Sequence, residues 1–288
     1  MDLFTIKNLR CSYDTPYREG ISRVVLEIEQ LNLEYGRRIF MVGESGIGKS
    51  TILETLGMMN NTIVSDESTT FLFHQRDGKE VDLCQLWHES DDALSTFRLK
   101  NYSFIFQSTN LMRNFTAYEN VAYTRMLQGY TREECFSRTK QVLKSLGLSH
   151  VDEQRMTQEL SGGQQQRLAF ARAILPEYTV LFGDEPTGNL DSENAMRVLQ
   201  ALVQKTERSQ DSSAIIVSHD MHLATTFADV IIKIQKRERA LTQDTDEGVI
   251  YGFIDHNSIY TPDSSRSSWT NGHERFSVLD FEDYLRKK

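Results

Sequence analysis

The feature that most constrains this chain is a strand, a glycine-rich turn and a helix in immediate succession. Arg38-Ile39-Phe40-Met41-Val42 is a compact apolar run bounded by Gly36 and Gly43, as expected of a strand buried in a sheet core. Gly43-Glu44-Ser45-Gly46-Ile47-Gly48-Lys49-Ser50-Thr51 follows at once, and Ile52, Leu53 and Leu56 continue at helical spacing. Gly43-x4-Gly48-Lys49-Ser50 fits the phosphate-binding-loop pattern, whose glycines let successive backbone N–H groups turn inward around phosphates at a helix N-terminus. In that reading Lys49 reaches the β/γ-phosphates and the Ser50 hydroxyl ligates Mg²⁺. Four constrained positions arise by chance about once per hundred chains of this length, and the flanking strand and helix make a plain glycine turn a poor rival.

Composition narrows the rest. The 288 residues are 39% hydrophobic and 25% charged, enough for one sizeable core plus an appendage and incompatible with disorder throughout. Asp and Glu total 41 against 32 Lys and Arg, a formal charge of -9, the wrong sign for gripping nucleic acid over a broad surface. No nucleic-acid partner is therefore expected. No apolar run approaches the roughly 18 to 20 residues needed to cross a bilayer, and the opening MDLFTIKNLR lacks a signal-peptide layout, so a cytosolic chain is expected. Cys11, Cys84 and Cys135 are odd in number and widely spaced, which points to neither a disulfide framework nor a zinc site.

Along the chain, short strands are expected at residues 3–6, 23–28, 30–34, 38–42 and 69–73, with a helix near 90–99. Thr131 with Glu134 three residues on matches a capping box, apolar residues then recur at helical spacing, and Gly147 suits the stop. A helix is expected over 164–175, and buried strands at 179–182, 214–217 and 230–234. Strands alternating with helices predict a three-layer α/β core. After Gln235 the character shifts: 248–254 reads as a strand, 262–268 as linker, and 277–286 as a short helix with Val278, Phe281 and Leu285 on one face.

Val180-Leu181-Phe182-Gly183-Asp184-Glu185 delivers two adjacent carboxylates to the carboxyl end of an apolar strand, the usual place for a site in an open α/β sheet. Asp184 suits the magnesium shell, and Glu185 is placed to polarise an attacking water. Leu160-Ser161-Gly162-Gly163-Gln164 lies between this strand and the phosphate loop. Its five fixed positions are a chance event on the order of one in several thousand such chains. Ser161, Gly162 and Gly163 offer a hydroxyl and close-approaching N–H groups at a helix start, a second anion cradle.

With these motifs in this order, residues 1–234 resemble the ATP-binding subunit of an ABC transporter. The resemblance implies an α/β P-loop NTPase fold of ABC type: a mixed sheet core, an antiparallel β subdomain, and a helical subdomain over about 108–165. Residues 235–288 would be a C-terminal extension, partly linker-like. It also implies an ATPase that binds ATP and Mg²⁺ between two copies of the chain, the Ser161-Gly162-Gly163-Gln164 segment of one closing over the phosphate loop, residues 43–51, of the other. In the family pattern Gln107 resembles the glutamine that touches Mg²⁺ and water, and His219 the histidine that contacts the γ-phosphate. Asp191 resembles the aspartate that links the two sites. Tyr13 matches the aromatic that stacks on adenine, with Tyr17 as its rival. Metal ligands would be Ser50, Gln107 and Asp184.

Asp184-Glu185-Pro186-Thr187-Gly188-Asn189-Leu190-Asp191 and Asn114-Phe115-Thr116-Ala117-Tyr118-Glu119-Asn120-Val121 look like the lipoprotein-release, macrolide-efflux and cell-division group. That group implies a separate transmembrane permease subunit, a likeness that would place the chain at the inner face of the cell membrane, driven motion being passed through residues 108–118. The other reading is a non-transport ABC ATPase in a regulatory or defence complex with soluble partners. Thr157 stands where a proline is common, Gly183 replaces a more usual alanine, and the tail is longer than the group's norm. The tail reads equally as trailing off after a completing strand or as a docking segment.

Overall fold

A computed structural model of the chain describes residues 1–14, 22–188, 190–208, 212–240 and 248–287. The chain divides into two compact units, Met1–Leu94 with His219–Lys288, and Ser95–Ser218.

The first unit is built on β1 (Asp2–Asp14), β2 (Ser22–Glu34), β3 (Arg38–Val42), α1 (Lys49–Leu56), β4 (Ile63–Val64), β5 (Thr70–His74), β6 (Glu80–Asp82) and α2 (Leu83–Leu86). After α3 (Asp91–Asn101) has led into the second unit, the first resumes with α8 (Met221–Phe227), β10 (Val230–Lys233), β11 (Gln235–Ala240), β12 (Gly248–Ile254), β13 (Ile259–Pro262), β14 (Ser268–Thr270), β15 (Arg275–Ser277) and α9 (Val278–Arg286). One sheet runs β11-β12-β2-β1-β5-β6 with β4 beside β1, and a second ladder runs β15-β14-β13-β10-β3.

The strands expected at 23–28 and 30–34 are one. β2 pairs with β1 straight through Glu29, with Ile6 opposite Leu31 and Leu9 opposite Ile28. The apparent break is a change of parity. β1 buries Phe4 and Ile6 and then Leu9 and Cys11, while β2 buries Leu26 and Ile28 and then Leu31 and Leu33. Both strands change their buried face at the same level, where Asn8 takes φ +49°. Asparagine is among the few residues that tolerate that conformation.

The tail does not trail off. Trp269, Tyr260 and Phe281 are buried, and Trp269 stacks on Phe281 at 5.3 Å. The helix expected over 277–286 is α9, capped by Ser277, with Phe281 and Leu285 buried and Val278 half-buried. The stretch read as linker is a tight connection between β13 and β14. Asp263 accepts hydrogen bonds from the hydroxyls of Ser265 (3.0 Å), Ser267 (3.1 Å) and Ser268 (2.8 Å), and from the Ser267 N–H (2.9 Å). Serines that read as flexible composition are donors to one carboxylate. These bonds, those of Ser268 foremost, hold the Asp263 carboxyl well below its ordinary value.

The tail also grips α8. Glu282 of α9 accepts from Thr225 Oγ1 at 2.9 Å and lies 3.2 Å from His222 Nδ1. Arg266 donates to the carbonyls of Thr226 and Ala228, where the helix dipole favours a cation. Beside them Asp229 takes a two-pronged contact from Arg38 at the start of β3, 2.6 and 2.9 Å.

In the second unit β7 (Tyr102–Ile105), β8 (Val180–Asp184) and β9 (Ser213–Val217) pair in parallel, in the order β7-β8-β9. Its helices are α4 (Ala117–Leu127), α5 (Arg132–Ser145), α6 (Gly162–Ile174) and α7 (Ser192–Arg208). Capping boxes start α4 (Thr116 with Glu119), α5 (Thr131 with Glu134) and α6 (Ser161 with Gln164). The last of these begins α6 two residues earlier than expected, because Ser161 is the cap and both glycines are already helical.

Candidate functional site

In the first unit β3 feeds the loop 43–48, and α1 begins at Lys49. Gly46 and Gly48 take φ +77° and +97°, a region closed to most residues with a side chain. Lys49 is 6% exposed, and its Nζ donates to the carbonyls of Gly43 (2.9 Å) and Glu44 (2.6 Å). The positive charge is therefore fixed at the mouth of the loop. Ser45, Gly46 and Ser50 are exposed, Thr51 and Ile47 buried. Tyr13 lies beside this helix, its hydroxyl 3.5 Å from Thr51 Oγ1 and accepting from Asn60 Nδ2 at 3.1 Å. The residue is 38% exposed, open enough to stack on a flat ligand. Tyr17 and Asn189 lie outside the described residues. His219 is exposed one residue before Asp220, which caps α8 by accepting from Leu223 N–H at 3.0 Å.

In the second unit Asp184 ends β8, opposite Val217 of β9. Glu185 follows at φ +49°, its N–H bonded to the Val217 carbonyl at 3.0 Å. A non-glycine residue held in this region stores strain, which is common where a side chain must be aimed. The motif alone did not reveal that strain. Gln107 is exposed two residues beyond β7. Asp191 caps α7 by accepting from Asn194 N–H (2.9 Å) and Nδ2 (2.7 Å). The backbone bond first, then the side-chain one, holds its carboxyl below the ordinary value.

Ser161 and Gly162 are exposed at the N-terminus of α6. Ser161 Oγ accepts from Gln164 N–H at 3.4 Å, and Gln164 Oε1 accepts from Ser161 N–H at 2.8 Å. Accepting in this way leaves the serine hydroxyl hydrogen to donate outward. A residue that sequence reading missed links this helix to the glutamine segment. Arg172 of α6 donates to the carbonyls of Thr109 (2.8 Å) and Asn110 (2.7 Å), and burial pushes its guanidinium down from the ordinary value. Its only sequence signal was a cation on the helix that opens with Ser161. Beside it lies a groove of about 550 Å³ lined by Ser108, Asn110, Leu111, Arg113, Thr157 and Gln165.

The profile of the ABC transporter family matches residues 26–188. The chain belongs to the ABC transporter family. Among curated relatives of this ABC chain, it is 34% identical to the lipoprotein-releasing system ATP-binding protein LolD of Colwellia psychrerythraea, over 83% of this chain and 88% of that one. It is equally 34% identical to the macrolide export ATP-binding/permease protein MacB of Mannheimia succiniciproducens, over 90% of this chain but 37% of that longer protein. A dimeric structure of a bacterial ABC transporter cassette matches with TM-score 0.67 and 29% identity, covering 80% of this chain and 94% of its own. A second dimeric structure, of a post-hydrolysis state bound to ADP and Pi, matches with TM-score 0.67 and 28% identity over 83% of this chain and 99% of its own. The fold expected from the motifs, an ABC-type P-loop NTPase, is the fold found, and the chain is an ATPase of this family. No helix among the described residues is long and apolar enough to cross a membrane.

Proposed function

We propose that this ATPase is the motor subunit of a membrane complex, working as a head-to-tail pair of chains on ATP–Mg²⁺ and moving a separate transmembrane permease subunit. The observation that carries the reading is the open start of α6: Ser161 and Gly162 face solvent as a second anion cradle, which a partner's nucleotide would complete. The names of the relatives, a lipoprotein-releasing ATP-binding protein and a macrolide export ATP-binding/permease protein, favour a transport complex over a regulatory or defence complex with soluble partners. In this reading residues 1–234 are the ATPase domain, with about 108–165 as its helical subdomain, and 235–288 are a C-terminal extension. The chain would then sit at the inner face of the cell membrane through its permease.

Each residue has a role in this proposal. Gly43, Glu44, Ser45, Gly46, Ile47 and Gly48 wrap the phosphates in backbone N–H groups, Lys49 neutralises them, and Thr51 closes the first helical turn. Tyr13 stacks on adenine. Ser50, Gln107 and Asp184 offer a hydroxyl, an amide carbonyl and a carboxylate, the hard oxygen donors that suit Mg²⁺. When bound, the ion supplies charge neutralisation at the phosphate oxygens. Glu185 orients water and takes its proton, and His219 donates to the γ-phosphate. The partner's Ser161, Gly162, Gly163 and Gln164 close over that phosphate, while Asp191 holds the turn beside the pair's contact. The groove beside Arg172 is the surface for the permease.

The variant Glu185→Gln tests the reading. Phosphoryl transfer is mostly positioning and charge stabilisation, so hydrolysis should slow by about 10² to 10⁴ with ATP binding intact. The ATP-loaded variant should then be recovered as a dimer, and from detergent-solubilised membranes with a transmembrane protein attached. Hydrolysis at the wild-type rate, or recovery of soluble proteins alone, would refute it.

A further inference from the structure

The phosphate-binding loop rests on the C-terminal extension. A Cβ at Gly252 of β12 would lie 2.2 Å from the Ile47 carbonyl oxygen, 2.8 Å from Ile234 Cγ2 and 3.1 Å from Leu26 Cδ1. The 2.2 Å partner is backbone, which cannot swing aside as a side-chain tip can, so no side chain fits there without moving the loop. Gly252 pairs in parallel with Leu26 of β2. At the same level Gly48 presses on β2, where a Cβ would come 3.0 Å from the Val25 carbonyl oxygen. Two glycines, one in the loop and one in the extension, thus let the loop lie directly on the paired strands β2 and β12. Lys236 of β11 adds a second contact, an ion pair with Glu44 at 3.4 Å.

The consequence follows from peptide geometry. A trans peptide is planar, and its carbonyl and N–H point in opposite directions. The Ile47 carbonyl faces Gly252, so the N–H of Gly48 points the opposite way, away from β12. We infer that Gly252 is a positioning residue for ATP: by admitting the Ile47 carbonyl it sets the aim of the Gly48 N–H, making the β11–β12 hairpin part of the phosphate site. This inference rests on the phosphate-binding reading of residues 43–51.

Calorimetric ATP affinity of the full chain tests it. Losing one well-aimed N–H to a charged phosphate should weaken Gly252→Ala by about tenfold or more. The Gly48 amide resonance of the nucleotide-free variant should be displaced from its wild-type position. Ile254→Ala, a buried truncation two residues along β12, should lower the melting temperature while leaving ATP affinity near wild type, separating loop aim from general stability. Lys236→Ala should weaken ATP about twofold, as befits an exposed pair, and Lys236→Arg should restore it. Wild-type affinity and an unmoved Gly48 amide in folded Gly252→Ala would overturn the inference. If Gly252→Ala fails to fold, wild-type affinity in Lys236→Ala would overturn it. Lys49→Ala run alongside keeps the two ideas apart: unchanged affinity there sinks the phosphate-loop reading itself, whereas weakened binding there with Gly252→Ala intact sinks only the inference.

Discussion

The chain carries two glycine turns at helix starts, and they are built in opposite ways. The loop 43–48 is walled at both ends and open only at its tip, Ser45-Gly46: Gly43 meets Ile47 and Ile234, Gly48 meets Val25 and Leu26, and Lys49 is tied to two carbonyls. At the start of α6, among the described residues, a Cβ on Gly162 would meet nothing within 4 Å, and one on Gly163 would meet Leu190 at 3.9 Å. The first turn is preorganised by its own fold, since positive φ and close packing allow it one shape. The second is ordered from inside, by the Ser161–Gln164 box, and is open outside. A walled cradle suits a ligand the chain holds alone; an open one suits a ligand that arrives on another surface.

The largest differences between the two turns are expected at Lys49 and Ser161. Lys49→Ala should weaken ATP binding by about 10- to 100-fold in calorimetry, as expected for loss of charge-assisted bonds to phosphate. Ser161→Ala should leave that affinity within about twofold and instead abolish the ATP-dependent dimer in sedimentation. Equal loss of affinity in both would mean that the two turns serve one chain alike. Next come the glycines. Gly48→Ala forces a side chain into φ +97° against Val25 and should cost about 2 kcal/mol of stability in denaturant melts. Gly162→Ala, at the first helical position with open space outside, should be neutral or slightly stabilising while hindering dimer formation. A dimer that forms as well with Gly162→Ala as without would show that no second surface closes there.

What was legible in the sequence divides along similar lines. The loop 43–51, the boxes at Thr131 and Ser161 and the strand ending in Asp184 are short-range patterns, in which residue type and spacing already contain the physics. The unread features depend on partners distant in sequence. The parity change at Asn8 makes sense only once β1 faces β2, so β2 looked like two strands. The serines of 262–268 became an ordered turn only because Asp263 collects their hydroxyls and Arg275 at 3.1 Å. Nothing local to Tyr251-Gly252-Phe253 marks its glycine as the one that must accommodate Ile47. Glu185 was found by its motif, but its φ of +49° belongs to the turn that Val217 imposes on it.

Acid should separate the two turns more gently. The strand that delivers the walled loop is held at its far end by Asp229, which Arg38 grips at 2.6 Å. Burial pushes the Asp229 carboxyl up, but the hydrogen bonds and charge of Arg38 outweigh it, so its value lies below the ordinary one. A depressed carboxyl contributes stability that is full above the unfolded value, about 3.9, and is lost as pH falls through the folded value. The bonds that cap the start of α6, between Ser161 and Gln164, involve no carboxylate. Asp229→Asn should therefore cost about 1 kcal/mol at pH 7, read as a lowered melting temperature, and the gap from wild type should close as pH drops below about 4. Ser161→Ala should lose a similar amount as a missing helix cap, with a gap that stays level over the same range. A gap that closes for both variants, or for neither, would remove Asp229 as the acid-sensitive support of the walled loop.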